Sequence, residues 1–360
     1  MKVQSEIFGY TKDNKQVNRY TLQSKKGIKV SLINYGASIQ ELWTPDKNDE
    51  STDIVLGFDK LEAYENHRYF SGAIVGRFAN RIANGQFSLN GTNYQLACNI
   101  GKHHLHGGNI GFGKKIWQAE LIEEEDSSAV AFTYFSVDGE ENYPGNLTAK
   151  VTYTLHENGD LQISYQATTD KDTIINLTNH AYFNLEGAGN GNVLSHELLL
   201  NANAFTPVNK NVIPNGEISS VKDTPFDFTQ PKPIGRDISM PHEQLEIGSG
   251  FDHNFVIDKP LDAFGLIAQV RSIESGRFME ILGTHPGVQL YTANFLEPEP
   301  IGKQGKSYHK RNAFCLETQS YPDAPNYAHF PSCVLRAGEV YQHKTLFKFA
   351  VSTNKFGEVI

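Results

Sequence analysis

The sequence predicts an all-β fold, a large antiparallel β-sandwich, and three observations support this. Aromatic residues make up 11% of the 360 residues, with 22 Phe and 16 Tyr against 3 Met, a mixture that suits half-buried pleated surfaces. Apolar and polar residues alternate in many short segments separated by Gly and Pro. Helical stretches of about ten residues or more, which a parallel doubly wound sheet needs between its strands, do not occur.

Two hairpins are predicted from alternating residues around an Asn-Gly pair, whose tolerance of positive φ permits a tight turn. The first spans residues 150–166 and turns at Asn158-Gly159; its apolar face consists of Val151, Tyr153, Leu155, Leu161, Ile163 and Tyr165. The second spans residues 86–96 and turns at Asn90-Gly91; across it, Phe87 and Leu89 face Tyr94 and Leu96.

Helical signals are few. DKLEAYENH (59–67) predicts a short helix, and QLEIGS (244–249) is too brief to assign. Pro-rich linkers and internal repeats are absent, so residues 1–360 are expected to form one domain. The Gly- and Pro-rich stretch 212–236 is expected to run over the sandwich and to wall one side of a site.

Charge and cysteine content exclude several classes of function. The net charge is −9 and no basic cluster is present, which argues against nucleic acid as a partner. The cysteines Cys98, Cys315 and Cys333 are odd in number and widely spaced, which favours reduced thiols in a cytoplasmic compartment. No signal peptide and no run of about 18 apolar residues is visible, so no membrane association is expected.

Two of four chemically interesting segments lie in the first third of the chain. GRFANRIANGQF (76–87) carries Arg77, Asn80 and Arg81 between glycines, but it lacks the lysine and spacing of a phosphate-binding loop, so the arginines could equally be surface charges. In HHLHGG (103–108), strand alternation would place His104 and His106 on one face. That pair could bind a metal, or a histidine could donate a hydrogen bond at the lip of a cleft.

The other two segments hold a histidine and a carboxylate. In INLTNHAYFNLEG (175–187), His180 lies among Asn176, Asn179 and Asn184, and so many amides in a strand suggest a ligand or buried water. In FCLETQSYPDAPNY (314–327), a strand is expected to end at Glu317, although a surface position is the commoner fate of glutamate. Asp252 in FDHNF and Gln289 in HPGVQLYTANF are further polar candidates.

Taken together, NRIANG, LHGG, NHAYFNL, DHNF, GVQLYT and LETQSYPDAPN resemble, in this order, the aldose 1-epimerases, also called galactose mutarotases. Each string is weak alone, but their shared order between Gly76 and Asn326 is specific. The resemblance implies a galactose-mutarotase-like sandwich with an open cleft. It also implies an enzyme that interconverts the α and β anomers of free aldohexoses such as glucose and galactose.

The resemblance further implies a role for each matching residue. Glu317 would be the catalytic base, His180 the catalytic acid, and His106 a second histidine that binds the sugar and supports the charge. The expected hydroxyl-binding residues are Arg81, Asn80, Asp252 and Gln289. The expected ligand is a monosaccharide, with no cofactor, no metal, no nucleic acid and no membrane, for a protein that is a monomer or a weak homodimer.

Ring opening needs one group to remove the C1 hydroxyl proton and another to protonate the ring oxygen. This chemistry predicts an ionised Glu317 and a protonated His180 whose pKa is raised by Asp252 or by Glu317 itself. Two alternatives remain open. A glycoside hydrolase would use a carboxylate pair such as Glu317 and Asp252, and a carbohydrate-binding sandwich would have no turnover.

Overall fold

The computed structural model describes residues 3–352 and residue 356, and most of its regular structure is strand. The two α-helices of this part of the chain are short: α1 (Leu61–Asn66) and α2 (Glu243–Gly248). The strands are β1 (Gln4–Tyr10), β2 (Gln16–Gln23), β3 (Lys29–Ile33), β4 (Ser38–Pro45), β5 (Ser51–Asp53), β6 (Ile74–Val75), β7 (Arg81–Ile82), β8 (Gln86–Leu89), β9 (Thr92–Gln95), β10 (His104–Leu105), β11 (Gln118–Glu123), β12 (Ser127–Ser136), β13 (Leu147–His156), β14 (Leu161–Thr169), β15 (Thr173–Ile174), β16 (Thr178–Asn179), β17 (Glu197–Leu200), β18 (Ala204–Phe205), β19 (Ser219–Ser220), β20 (Lys232–Pro233), β21 (Asp252–Val256), β22 (Gly265–Arg271), β23 (Arg277–Gly283), β24 (Gly287–Tyr291), β25 (Cys315–Gln319), β26 (Val334–Leu335) and β27 (Val340–Val351). Short 3₁₀ turns cover Ala83–Gly85, Phe112–Lys114, Glu140–Asn142, Lys303–Gly305 and Ala324–Asn326.

Three large antiparallel sheets form the sandwich, which confirms the predicted fold class. A nine-stranded sheet has the order β11-β12-β13-β14-β27-β23-β22-β17-β20, and a five-stranded sheet runs β1 to β5 in sequence order. A second five-stranded sheet, here called the site sheet, has the order β19-β18-β21-β24-β25. Side chains from all three sheets meet in one main apolar core, for example Leu32, Tyr153 and Phe255.

The hairpin predicted over residues 150–166 is confirmed as β13 and β14. Tyr153 pairs with Ile163, and Val151 pairs with Tyr165, so the alternating apolar face is the one that enters the main core. Gly159 turns the chain with φ of +91°. The burial of this face explains why its period-two pattern is so clear in the sequence.

The second hairpin and the first helix are also confirmed. Phe87 pairs with Tyr94 across a turn in which Asn90 and Gly91 have φ of +51° and +77°. Leu96 lies just beyond the end of β9, where it is buried and its N–H donates to the carbonyl oxygen of Gly85. The segment 59–67 contains α1.

The site sheet has one apolar and one polar face, because successive strand residues point to opposite sides. Leu290 and Leu316 pair across β24 and β25 and enter the main core. Their neighbours Gln289 and Glu317 also pair, and Asn254 of β21 lies opposite Gln289. Antiparallel register therefore collects polar side chains from three distant segments in one row.

The stretch 212–236 does not wall the cleft as expected. Its apolar side chains Val221, Phe226, Phe228 and Ile234 are buried in the main core, and none of its residues lines the cleft described below. The segment covers the edge of the sandwich instead, since burying these side chains is favourable. Within the described residues, no helix has the length and apolarity needed to cross a membrane.

Candidate active site

An open cleft of about 320 Å³ lies over the polar face of the site sheet. Six of the seven residues proposed from the sequence line it: Asn80, Arg81, His106, His180, Asp252 and Glu317. The cleft is completed by Arg68, Tyr69, Phe70, Ile100, Leu105, Tyr182, Tyr291 and Phe295. The resemblance therefore selected residues that are distant in the chain and close in space.

Glu317 lies on the floor of the cleft in the middle of β25, not at the end of a strand as expected. Only 2% of the residue is exposed. Its Oε2 atom has no hydrogen-bond partner among the described residues. A buried carboxylate without full hydrogen bonding is costly, which marks Glu317 as a functional candidate.

His180 lies beside Glu317, with 3.6 Å between its Nε2 atom and Oε1 of the carboxylate. Its backbone is held by two hydrogen bonds, because its N–H donates to the Ala73 carbonyl oxygen and its own carbonyl oxygen accepts from the Gly72 N–H. The Cys315 Sγ atom lies 3.7 Å from Nδ1. The histidine and the carboxylate thus form a buried pair at the floor of the cleft.

The protonation states differ from those expected. Burial lowers the pKa of His180 to about 4, and no carboxylate offsets this effect. Burial, followed by the negative charge of Asp252, raises the pKa of Glu317 well above its ordinary value, while Arg81 partly opposes the rise. The expectation of a protonated His180 is therefore wrong for the sugar-free cleft, where desolvation favours the neutral imidazole and the protonated form of Glu317.

His106 and Asn80 hold each other through two reciprocal hydrogen bonds. The Asn80 N–H donates to His106 Nδ1 at 3.1 Å, and the His106 N–H donates to the Asn80 carbonyl oxygen at 3.0 Å. Both residues have left-handed backbones, with φ of +66° at Asn80 and +50° at His106. Since Nδ1 accepts a hydrogen bond, the neutral ring carries its proton on Nε2.

The metal interpretation of HHLHGG fails for a local reason. β10 ends at Leu105, and the positive φ of His106 sends its side chain to the cleft, away from His104. His104 is buried against Tyr143, whose hydroxyl oxygen lies 2.5 Å from Nε2. Ligating atoms of His106, His180 and Glu317 do lie within 4.8 Å of one another. However, the His106 lone pair is directed at the Asn80 N–H, so this donor set fits a metal ion poorly.

Arg81 and Asp252 form the polar end of the cleft, with 3.4 Å between a terminal guanidinium nitrogen and Oδ2. Asp252 is held from behind by Gln289, whose Nε2 donates to Oδ1 at 2.7 Å. Gln289 is buried and does not line the cleft. Gln289 therefore holds the Asp252 carboxylate in place.

The asparagines around His180 do not face a ligand, contrary to expectation. Asn176 and Asn179 donate to the carbonyl oxygens of Ala79 and Gly72, and Asn184 donates to that of Asn312. Their side-chain oxygens accept backbone N–H groups. These amides tie irregular backbone together, a role that the sequence pattern does not distinguish from ligand binding.

Several cleft residues were not predicted from the sequence, among them Tyr291 and Phe70, whose rings contact those of the cleft histidines. Tyr291 shares a strand face with Gln289, so strand alternation could have identified it. The ring centroid of Phe70 lies 4.8 Å from that of His106. No pattern in the sequence indicates this contact. Of the two aromatic residues after His180, Tyr182 lines the cleft and Phe183 enters the main core.

Comparison with known sequences agrees with this geometry. Residues 18–348 match the family model described as aldose 1-epimerase. A galactose mutarotase from Bos taurus is 45% identical over 336 residues, which cover 93% of this chain and 95% of the relative. An aldose 1-epimerase from Escherichia coli is 34% identical over 339 residues, covering 94% and 96% of the two chains.

Solved structures give the same result. A galactose 1-epimerase from Lactobacillus acidophilus superposes with a TM-score of 0.86 at 27% identity, covering 98% of this chain and 100% of the other. An aldose epimerase homologue from C. elegans has a TM-score of 0.84 at 33% identity, with coverage of 92% and 98%. The cleft, its order of residues and these similarities lead to one conclusion: this chain belongs to the aldose 1-epimerase family.

Proposed function

We propose that this chain interconverts the α and β anomers of free aldohexoses such as glucose and galactose, with Glu317 and His180 as the proton-transfer pair. The observation that carries the assignment is the 3.6 Å contact between His180 Nε2 and Glu317 Oε1 at the floor of an open cleft. Anomer exchange requires one acid and one base and no redox chemistry. The pair supplies both.

The protonation of the pair suits this reaction. In the sugar-free cleft, burial raises the pKa of Glu317 and lowers that of His180, which favours a proton on Glu317 and a neutral His180. Transfer of that proton to His180 produces a carboxylate and an imidazolium without exchange with solvent. In our assignment, Glu317 then removes the C1 hydroxyl proton and His180 protonates the ring oxygen. After rotation about the C1–C2 bond, the two steps reverse on the other face of the aldehyde.

Three further residues are proposed to orient the sugar. Arg81 donates to hydroxyl oxygens and Asp252 accepts from hydroxyl groups at the polar end of the cleft. The Nε2–H of His106, fixed by the hydrogen bond at Nδ1, donates to an oxygen near the reacting centre. Asn80 acts through this bond and through its side-chain oxygen, which accepts from the Arg81 N–H. Gln289 is assigned to hold Asp252, not to touch the sugar.

Polarimetry tests the proposal. Fresh α-glucose and α-galactose should lose optical rotation faster with the protein than without it, and Glu317→Gln should reduce the enzymatic rate by about 10²- to 10⁴-fold, the range typical of a positioned acid or base. Glu120→Gln, a change at an exposed position of β11, is the matched control and should keep the native rate. Near-native turnover of Glu317→Gln would exclude Glu317 from the mechanism. Sugar binding without rate enhancement, or hydrolysis of aryl glycosides, would exclude the reaction.

We also propose a cytoplasmic protein that is one domain and a monomer or weak homodimer. Three free cysteines, two of them buried, support a reducing compartment. Sedimentation of the purified chain tests the oligomeric state.

A further inference from the structure

Phe70 has a backbone conformation that bulky residues avoid. Its φ is +55°, in the left-handed region that sterics normally leave to Gly, Asn and Asp. Such conformations persist only where the surrounding structure enforces them, and they cluster at functional sites. The position of the side chain is therefore of interest.

The turn that carries Phe70 is bonded directly to His180. Residues 70–73, here called the Phe70 turn, are closed by a hydrogen bond from the Ala73 N–H to the Phe70 carbonyl oxygen. Gly72 has φ of +69°, and a Cβ atom there would lie 2.0 Å from the Ile39 carbonyl oxygen, so only glycine fits. The two backbone bonds between the turn and His180, together with the Asn179 amide on the Gly72 carbonyl oxygen, enforce the strained conformation.

The strained backbone places the Phe70 ring against both histidines of the cleft. Its centroid lies 4.8 Å from the His106 ring and 6.1 Å from the His180 ring, and the latter pair is nearly parallel at 25°. The Tyr182 ring lies 4.9 Å from His180, also nearly parallel at 26°. His180 thus contacts two aromatic faces while its Nε2 atom is directed to Glu317.

We propose that Phe70 is a positioning residue that covers the two histidines from solvent and keeps the His180 ring oriented toward Glu317. This inference deepens the proposed function, on which its catalytic meaning rests. Burial is the main cause of the low pKa of both histidines, in agreement with such a cover. In the proposed reaction, the cover favours a neutral His180 before the sugar binds.

The experiment measures the His180 pKa in the sugar-free protein by NMR titration of isotope-labelled histidines. Phe70→Gly is the main variant, because glycine adopts positive φ without strain and so preserves the turn while removing the ring. We expect the pKa of His180 to rise from about 4 toward its ordinary 6.5, by roughly one unit or more. Phe70→Leu keeps apolar cover and should give a smaller rise. The charged and titratable groups that face His180 stay in place in both variants: Glu317, Cys315, His106, His67, Tyr182 and Tyr291.

Phe295→Ala is the matched control, since Phe295 lines the same cleft but has no ring contact with either histidine among the described residues. It should leave the His180 pKa unchanged. An unchanged pKa in Phe70→Gly would overturn the proposal. So would a raised pKa accompanied by faster hydrogen exchange at the His180 amide, because the turn would then have opened. If the His180 pKa rises in Phe70→Gly but the native protein does not accelerate anomer exchange, the proposed function is wrong. The inference that Phe70 shields His180 from solvent would still hold.

Discussion

At the scale of single residues, Glu317 combines a cost in folding free energy with a chemical role. Its carboxylate is buried beside Asp252, and both burial and this neighbouring charge favour the protonated form. Folding therefore either retains a proton on Glu317 or buries a charge, and either outcome costs free energy at neutral pH. Sites that perform chemistry commonly carry such a cost in stability.

Glu317→Gln should therefore stabilise the protein while it removes activity. The folded-state pKa of Glu317 lies above its unfolded value, so its favourable contribution is complete below about pH 4.5 and is lost as pH rises through the folded pKa. The gain in the free energy of unfolding should grow by up to about 1.4 kcal/mol per pH unit within that window. Urea unfolding at several pH values checks this. Glu120→Gln should show no such trend, and a glutamine variant less stable than the native protein at pH 7 would contradict it.

The sequence predicted which residues form the site but not their state. Short strings such as LHGG and LETQSYPDAPN identified His106 and Glu317, because these chemical groups are recognisable in one dimension. The direction of each pKa shift depends on side chains that enclose the group from distant segments, such as Phe70 over His180. Desolvation is a property of the folded enclosure, so the expected charge on His180 was wrong.

At the scale of elements, a turn fastens two site-bearing segments to each other. Asp323 follows β25 in a left-handed conformation with φ of +58°, and its N–H donates to the Arg81 carbonyl oxygen. Its Oδ1 accepts from the Ala83 N–H at 2.9 Å and from Asn326 at 2.6 Å. Although burial raises the pKa of Asp323 to about 6, the carboxylate is ionised at neutral pH. This turn therefore sets where Arg81 lies relative to Glu317.

Asp323→Gly should raise KM for the sugar by about 5- to 10-fold, because a buried hydrogen bond of about 1 kcal/mol or more is lost. The change in kcat should be smaller, since Arg81 binds the substrate and the transition state alike. Asp323→Asn keeps the accepting oxygen and tolerates positive φ, so its KM should stay near the native value. Steady-state polarimetry measures both. Equal KM values for the two variants would show that the turn does not position Arg81.

Elements with a simple periodic pattern could be predicted from the sequence. Elements that depend on a residue with positive φ could not. The hairpin of β13 and β14 follows from alternation around Asn158-Gly159. By contrast, the expectation that His104 and His106 share a face assumed an unbroken strand. The positive φ of His106 ends that strand, and no residue type in HHLHGG requires it. The Gly and Pro content of stretch 212–236 predicts a surface excursion, but it does not indicate that the apolar side chains between them enter the main core.

At the scale of the whole molecule, the core and the cleft are separable in their response to mutation. Ile163 is fully buried in β14 and does not line the cleft. Ile163→Ala should lower the free energy of unfolding by about 2–5 kcal/mol, and Ile163→Val by about 0.5–1.5 kcal/mol, with KM unchanged in both. Ile273→Ala, at an exposed position, should change stability by less than about 0.5 kcal/mol. Urea unfolding and polarimetry measure these effects, and a marked rise in KM for Ile163→Val would contradict the separation.

The pairing of β24 with β25 links the core to the cleft. Leu316 and Glu317 are neighbours in the chain but serve opposite sides of the sheet. A slip of one residue in this pairing would exchange them, with a carboxylate in the apolar interior and a leucine on the cleft floor. Burying an unpaired carboxylate in the apolar core is costly, so the register that fills the core is also the one that places Glu317 in the cleft. A molecule with a slipped β24–β25 register would consequently lose its packed core and its catalytic carboxylate together.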